Sequence, residues 1–454
     1  MTDTAAKSET DRAREVEETF RVLPGLYLIG SMEKGVTLYN QQVRAHNLVW
    51  ALWELQQNAK LRVGRVAVVG GGVSGLAVAA CIISRFDKAV SVTLFEERWD
   101  ICPLQQGSDT RWIHPKIYDW PAVGSRGTDA QLPVLNWSQG RASDVVRTVV
   151  AEFTAFCDAF AKSQERLTVY LGLRHFQIKV GMDHKKEVSR IANKATRSGP
   201  FFHLGRPEGG TAQFDTVILA IGFGLETVIP GYASDSYWRN EQVGQPVLDG
   251  TRHRYLVSGF GDGALVDLCR LTIERFRQDT IISELFKSAL DEVETRFDAE
   301  IETRGRDANM FDLFAGVEGD LLGAATIELG NRIRKDTRVT LRLRGRNNEI
   351  KTFSQIFGRH SSFLHRLLTF LLYKCGAFGL DFSELGTAVK RHGIPAANVL
   401  CRYGANTMDH LRALFVDDQM VVNRLTEMKE RQQQIPRPLF PPGIFPYYEK
   451  EKKE

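Results

Sequence analysis

The stretch VAVVGGGVSGLAVAACIISRF, Val66–Phe86, suits a strand, stops at a cluster of glycines and restarts as a helix. Gly70, Gly72 and Gly75 stand in the spacing GxGxxG. In that pattern the first glycine permits a tight turn, the second lets backbone approach a pyrophosphate, and the third lets helix pack on strand. The helix beginning near Gly72, with Val73 and Ser74 in its first turn, presents unpaired N–H groups and the positive end of its dipole, an anion site that needs no basic side chain. A second strand, Ser91–Glu97, ends in Glu96, 21 residues beyond Gly75, with Glu97 beside it. An acid there is placed to bind ribose hydroxyls. Strand, helix and strand make one β-α-β unit, which requires a parallel sheet and an α/β fold.

Around this unit the chain reads as follows. Phe20–Gly30 forms short extended segments, and Leu38–Gln57 a helix with apolar positions at Val43, Leu48, Leu52 and Leu55. Residues 102–139 are a long irregular stretch, a kind of segment usually tied to function. A helix from about Ala142 to Lys162 leads to alternating strands, a polar hairpin tip around His184–Ser198 and the strand of DTVILAIGFG. After Asp262 the periodicity turns helical, and only VTLRLRG, Val339–Gly345, reads clearly as a strand.

Composition narrows the function. Lys plus Arg number 59 against 55 Asp plus Glu, a balance of +4 over 454 residues that does not argue for nucleic acid as a partner. The six cysteines form no CxxC pair and the ten histidines no HxxxH or HExxH, so a disulfide framework, a dithiol centre and a metal site lack support. A reducing, cytoplasmic setting fits best. No apolar leader is visible in the first residues, and Phe363–Leu380, broken by His365, Arg366 and Lys374, is too short for a transmembrane segment and reads as a buried helix.

VAVVGGGVSGLAVAACI followed by VTLFEE resembles the FAD-binding unit of the large flavoprotein superfamily that includes glutathione reductase, flavin-containing monooxygenases and amine oxidases. FDTVILAIGFGLETVIPG, Phe214–Gly231, with Ala220 and Gly222, resembles the strand-and-turn segment these proteins carry after the FAD sheet. In YLVSGFGDGALVDLCRL a strand again runs into glycines, Gly259, Gly261 and Gly263. It resembles the family's Gly-Asp motif, in which Gly261 faces the pyrophosphate and Asp262 the ribitol of FAD. It also resembles the GxGxxA turn of an NAD(P)H-binding domain, with Ala264 in the sixth place and Arg342 and Arg344 available to a 2′-phosphate. The first reading is preferred because no second strand follows soon after the helix.

The resemblance, which covers roughly Val63–Leu268, implies a Rossmann-like FAD/NAD(P)-binding domain with a β-hairpin insert, and with an N-terminal helical extension the domain is expected over 20–268. It leaves 1–19 as a disordered tail, 269–435 as a mainly helical substrate or cap region or an incomplete NAD(P)-binding one, and 436–454 as an extended tail. The implied function is an FAD-dependent oxidoreductase, a monooxygenase or oxidase of a small molecule, with NADPH or NADH as a further cofactor. A nicotinamide-only dehydrogenase and a non-catalytic protein retaining the fold are the alternatives.

A flavin supplies redox chemistry itself, so few catalytic side chains are required. In SDTRWIHPKIYDWP, Arg111 or Lys116 would face the charge of a reduced flavin, and His114 would carry protons; Arg111 is also a cofactor-binding candidate. A packed aromatic loop is the competing reading. Gln41, Gln42 and Arg44 read as a solvated helix face, and Arg359, His360, Ser361, Ser362, Arg402 and Tyr403 as surface loops, with a pocket role as the alternative for each.

Overall fold

The computed structural model describes residues 8–30, 37–161, 166–181, 186–192, 202–204, 210–222, 226–232, 236–305, 308–344, 350–358, 361–415 and 418–434. The chain opens with helix α1, Glu9–Phe20, capped by the Ser8 hydroxyl, which accepts from the Asp11 N–H. This corrects the expected tail over residues 8–19, while 1–7 lie outside the described residues. Ala13, Val16 and Phe20 recur at helical spacing and are buried against α2, Leu38–Gln57, after the hairpin β1, Arg21–Leu23, and β2, Leu26–Leu28.

The glycine strand is β3, Arg65–Val69, followed by α3, Val73–Arg85, and β4, Ser91–Phe95. Small residues from Ala77 to Ala80 let α3 lie close between α2 and the sheet, so that it is buried nearly throughout. The irregular stretch follows, containing the short pair β5, Trp112–Ile113, and β6, Gly140–Arg141, and then α4, Ala142–Ala161. Strand β7, Leu167–Leu171, rejoins the sheet. The antiparallel insert of β8, Leu173–Val180, β9, Lys186–Ala192, and β11, Gly210–Phe214, is interrupted by β10, Phe202–Leu204, which pairs with β7; much of the expected hairpin tip lies outside the described residues. Strand β12, Thr216–Leu219, completes a seven-stranded sheet of order β1-β2-β12-β3-β4-β7-β10, parallel except at the first hairpin.

A second parallel sheet then begins in the region for which a mainly helical cap or an incomplete NAD(P)-binding region was expected. Strand β13, His253–Ser258, leads into α5, Asp262–Thr272, so the boundary expected at 268 falls inside a helix of this second unit. Helices α6, Ile281–Phe286, α7, Leu290–Arg304, α8, Phe311–Gly316, and α9, Gly323–Asn331, intervene before β14, Thr337–Arg342, which pairs in parallel with β13. After α10, Phe363–Lys374, come β15, Phe378–Asp381, α11, Leu385–His392, and β16, Val399–Cys401, giving the order β15-β14-β13-β16. The helices between α5 and β14 share an aromatic core with α10, in which Phe297 and Phe363 have ring centroids 5.0 Å apart. Helix α12, Thr407–Leu414, and α13, Gln419–Gln434, return to the first sheet, where Met408, Leu411, Phe415 and Leu425 pack with Leu26, Val69 and Val217. The region 269–435 is therefore part sheet, part helix, and its end belongs to the first unit.

Among the described residues no helix is long and apolar enough to cross a membrane. Phe363–Lys374 is instead buried through Leu364, Leu367, Leu368 and Leu371. The expected tail at 436–454 lies outside the described residues, as do Arg359 and His360.

Candidate functional site

Both sheets present the carboxyl ends of their strands to one cavity of ≈1210 Å³. That exceeds the roughly 300–1,000 Å³ of an ordinary small-molecule pocket. The first turn enters it through Gly70, Gly72, Val73 and Ser74, joined by Glu96, Glu97, Ala220 and Gly222. Gly70 has φ +110° and a Cβ there would collide with the Ala220 carbonyl. Gly72 caps α3, and a Cβ on it would meet no protein atom within 4 Å. It opens directly onto the cavity. Gly75 lies behind the wall, where a Cβ would collide with the Gly70 carbonyl, which is the close helix–strand approach the third glycine serves. The Ser74 hydroxyl is buried and has no hydrogen-bond partner in the protein, although it faces the cavity.

Glu96 holds the turn together. One carboxylate oxygen accepts the Gly71 N–H at 2.6 Å and the other the Arg98 N–H at 2.6 Å. Burial pushes its pKa up, and these two hydrogen bonds oppose the shift. Both carboxylate oxygens are therefore already engaged by backbone N–H groups where the side chain meets the cavity.

The second turn repeats the backbone of the first. Gly259 has φ +137° and closes on the Arg402 carbonyl as Gly70 closes on that of Ala220. Gly261 caps α5 at φ −84°, ψ 175°, against −75° and 177° at Gly72. Strand β13 is the first strand of its own parallel sheet and not a late strand of the first one. The second strand that was missing from the sequence is β14, displaced by the helical insert. Gly261, Asp262 and Gly263 line the same cavity.

The loop candidates divide. His114 lines the cavity, but its Nδ1 accepts the Lys116 and Ile117 N–H groups at 3.2 and 3.0 Å, and burial pushes its pKa below 6.5. Burial therefore disfavours its charged form, and the two backbone contacts fix the ring. Lys116 is not on the cavity wall; its Nζ donates to Gln131 Oε1 at 3.1 Å. Arg111 is not there either. It is 2% exposed, stacks on Tyr237 and donates to Asp267 Oδ1 at 2.6 Å, so its guanidinium is already answered by a buried carboxylate.

Arg402 shares that carboxylate. Its Nε donates to Asp267 Oδ2 and its Nη1 to Glu226, each at 2.8 Å, while Arg270 binds Asp267 and Glu241. Three arginines and three carboxylates thus tie the irregular loop, the segment between the sheets and α5 into one network. Arg402, Glu226 and Tyr237 also face the cavity, so the surface-loop reading of Arg402 is corrected. The signal was its place directly after a strand, where open parallel sheets put ligand contacts. Tyr403 turns inward as well, to Ser258 and Arg342. Gln41 lines the cavity while Gln42 and Arg44 are buried, which overturns the solvated face: Gln42 bonds the Leu135 carbonyl and the Trp137 indole. Gln278 and Trp99, also on the wall, had no recognisable sequence signal.

No family model matches the chain, and no curated protein matches it. Among solved structures it is similar to L-lysine 6-monooxygenase from Pseudomonas syringae, at 18% identity over 41% of this chain and 44% of that one, with a TM-score of 0.22. It is also similar to DfoA bound to FAD, a cadaverine monooxygenase of desferrioxamine biosynthesis from Erwinia amylovora, at 9% identity over 44% and 47%, with a TM-score of 0.24. The chain spans less than half the length of each.

Proposed function

We propose that the protein is an FAD-dependent oxidoreductase of a small molecule, reduced by a nicotinamide nucleotide. One observation carries the reading: two glycine turns of the same geometry, each opening a parallel sheet, face one cavity. The first turn suits FAD. Gly72 leaves room for the pyrophosphate, the Ser74 hydroxyl needs a partner, and Glu96 sits at the ribose end. Bound flavin supplies hydride and oxygen chemistry.

The second turn suits the nicotinamide donor, and its surroundings favour NADPH over NADH. Gly70 N–H bonds the Phe95 carbonyl and Gly259 N–H bonds that of Arg342, so Leu343 stands where the first sheet has Glu96. A ribose 2′-hydroxyl finds no acid there. Arg344, paired at 2.6 Å with the exposed Glu384, follows directly and can turn to a 2′-phosphate. Arg342 is held by Ser258, Tyr403 and the Ser383 carbonyl, and supports the end of β14 rather than reaching a ligand. Trp112, His114 and Tyr118 line the same cavity, and His114, whose Nδ1 accepts two backbone N–H groups, carries its proton at Nε2.

The test is spectroscopic. The purified protein should be yellow, release FAD on heating and bleach anaerobically with NADPH faster than with NADH. A yellow protein indifferent to both nucleotides would remove the donor and leave an oxidase. A colourless protein that does not take up FAD would overturn the reading.

A further inference from the structure

The two turns share a backbone but differ in charge. At the fourth position of the motif, the first residue of each helix, the first sheet carries Val73 and the second Asp262. Those first-turn N–H groups are the ones a pyrophosphate would meet. Asp262 Oδ1 accepts the Ser362 N–H at 2.8 Å and a hydrogen bond from His365 Nδ1 at 2.7 Å, which fixes the carboxylate between the starts of α5 and α10. Its side chain is 18% exposed and lies on the cavity wall. Burial pushes its pKa up, but the His365 contact and Ser362 N–H outweigh this and hold it below the usual carboxylate range, so it is ionised at neutral pH. Of the groups that could offset this charge, His365 forms an ion pair with Asp262 only when protonated, and Arg402 passes the turn near Gly263 but is bonded to Asp267 and Glu226.

We infer that Asp262 is a specificity-determining residue that loosens the second turn's hold on a pyrophosphate, so that the dinucleotide bound there exchanges while the one on the first turn, with the uncharged Val73 at the helix start, stays. This rests on the proposed donor reading of the second turn. A carboxylate a few ångströms from a pyrophosphate opposes its binding, and the opposition is screened by salt. Asp262→Asn keeps an oxygen to accept from Ser362 and His365 while removing the charge. It should bind NADP⁺ about tenfold more tightly than the parent protein, by titration of the FAD-loaded form, with the gain shrinking as salt rises. Asp262→Ser, which does not depend on the amide's orientation, should shift the same way, and FAD content should be unchanged in both.

A merely structural carboxylate would leave affinity equal or weaker in both variants and the salt dependence unaltered; that result overturns the inference and spares the donor reading. Absence of saturable NADP⁺ and NADPH binding in parent and variants alike would overturn the donor reading, and this inference with it.

Discussion

The two parallel sheets have the same strand order, β7-β4-β3-β12 in one and β15-β14-β13-β16 in the other, and the same glycine turn after the first strand. They differ in what the turn carries. The first has Val73 on the turn, Gly75 in the sixth place and Glu96 locked to the Gly71 N–H. The second has Asp262 on the turn, Ala264 in the sixth place and Leu343 in place of Glu96. On the proposed reading, the shared topology places a dinucleotide at each turn and these few side chains set how firmly it is held, the first turn as a resident site and the second as an exchanging one.

The network joining the sheets offers the largest effect. Asp267 is fully buried and receives Arg111 at 2.6 Å, Arg402 at 2.8 Å and Arg270 at 3.1 Å. Asp267→Asn leaves three guanidiniums with too few carboxylates around a position that is itself fully buried. Breaking a buried ion pair from one side costs about 3–5 kcal/mol, and denaturant titration should show a loss of that order. A loss under 1 kcal/mol would mean the sheets are held in register by apolar packing alone.

Next come the turns themselves. Gly72→Val fills open space at an ordinary φ of −75°, so the fold should survive while FAD content falls at least ~100-fold. Gly261→Val should leave FAD in place and abolish the response to NADPH. The comparison breaks if either variant loses both ligands, or if the effects exchange places.

How much of this was legible in the sequence depended on distance along the chain. The first unit was readable because its motif and acid fall within Val66–Glu97, and α2 spans the expected Leu38–Gln57. Helix α1 was missed because its stripe of Ala13, Val16 and Phe20 is set among charged residues. The second sheet was missed for a different reason: a helical insert separates β13 from β14, and β15 and β16, four and three residues long, are too short to display a period. Arg111 was assigned to a ligand because its partner is 156 residues away, a pairing no local pattern reveals. Asp262 was noticed, but its role depended on which sheet owns β13, and only the strand pairing answers that.

Acid should separate the sheets more gently. Arg334 holds Asp336 at about 2, below its ordinary 3.8. Burial pushes Asp381 up, but Ser383, His392 and Arg391 bring it to about 2. Both carboxylates flank strands of the second sheet. A depressed carboxylate contributes stability above its unfolded pKa and loses it as pH falls through the folded one, here from about 3.8 to 2. Glu96 has the opposite sign: its raised pKa means that protonation relieves strain in the first sheet. Hydrogen exchange at falling pH should therefore release peptides of β13 and β14 before those of β3 and β4, and simultaneous release would remove this difference between the sheets.

The smallest effect tests the first turn alone. The Ser74 hydroxyl is buried, faces the cavity and has no partner in the protein. A buried polar atom without a partner is unfavourable unless something else bonds it. If bound FAD provides that partner, Ser74→Ala removes one hydrogen bond of about 1 kcal/mol, so FAD affinity should fall about fivefold. In the protein freed of FAD the same change removes an unsatisfied group, and thermal stability should hold or rise. The equivalent position in the second turn is Gly263, which has no hydroxyl to offer, so NADPH affinity should not move. An equal loss of stability with and without FAD would show that Ser74 serves the helix rather than the cofactor.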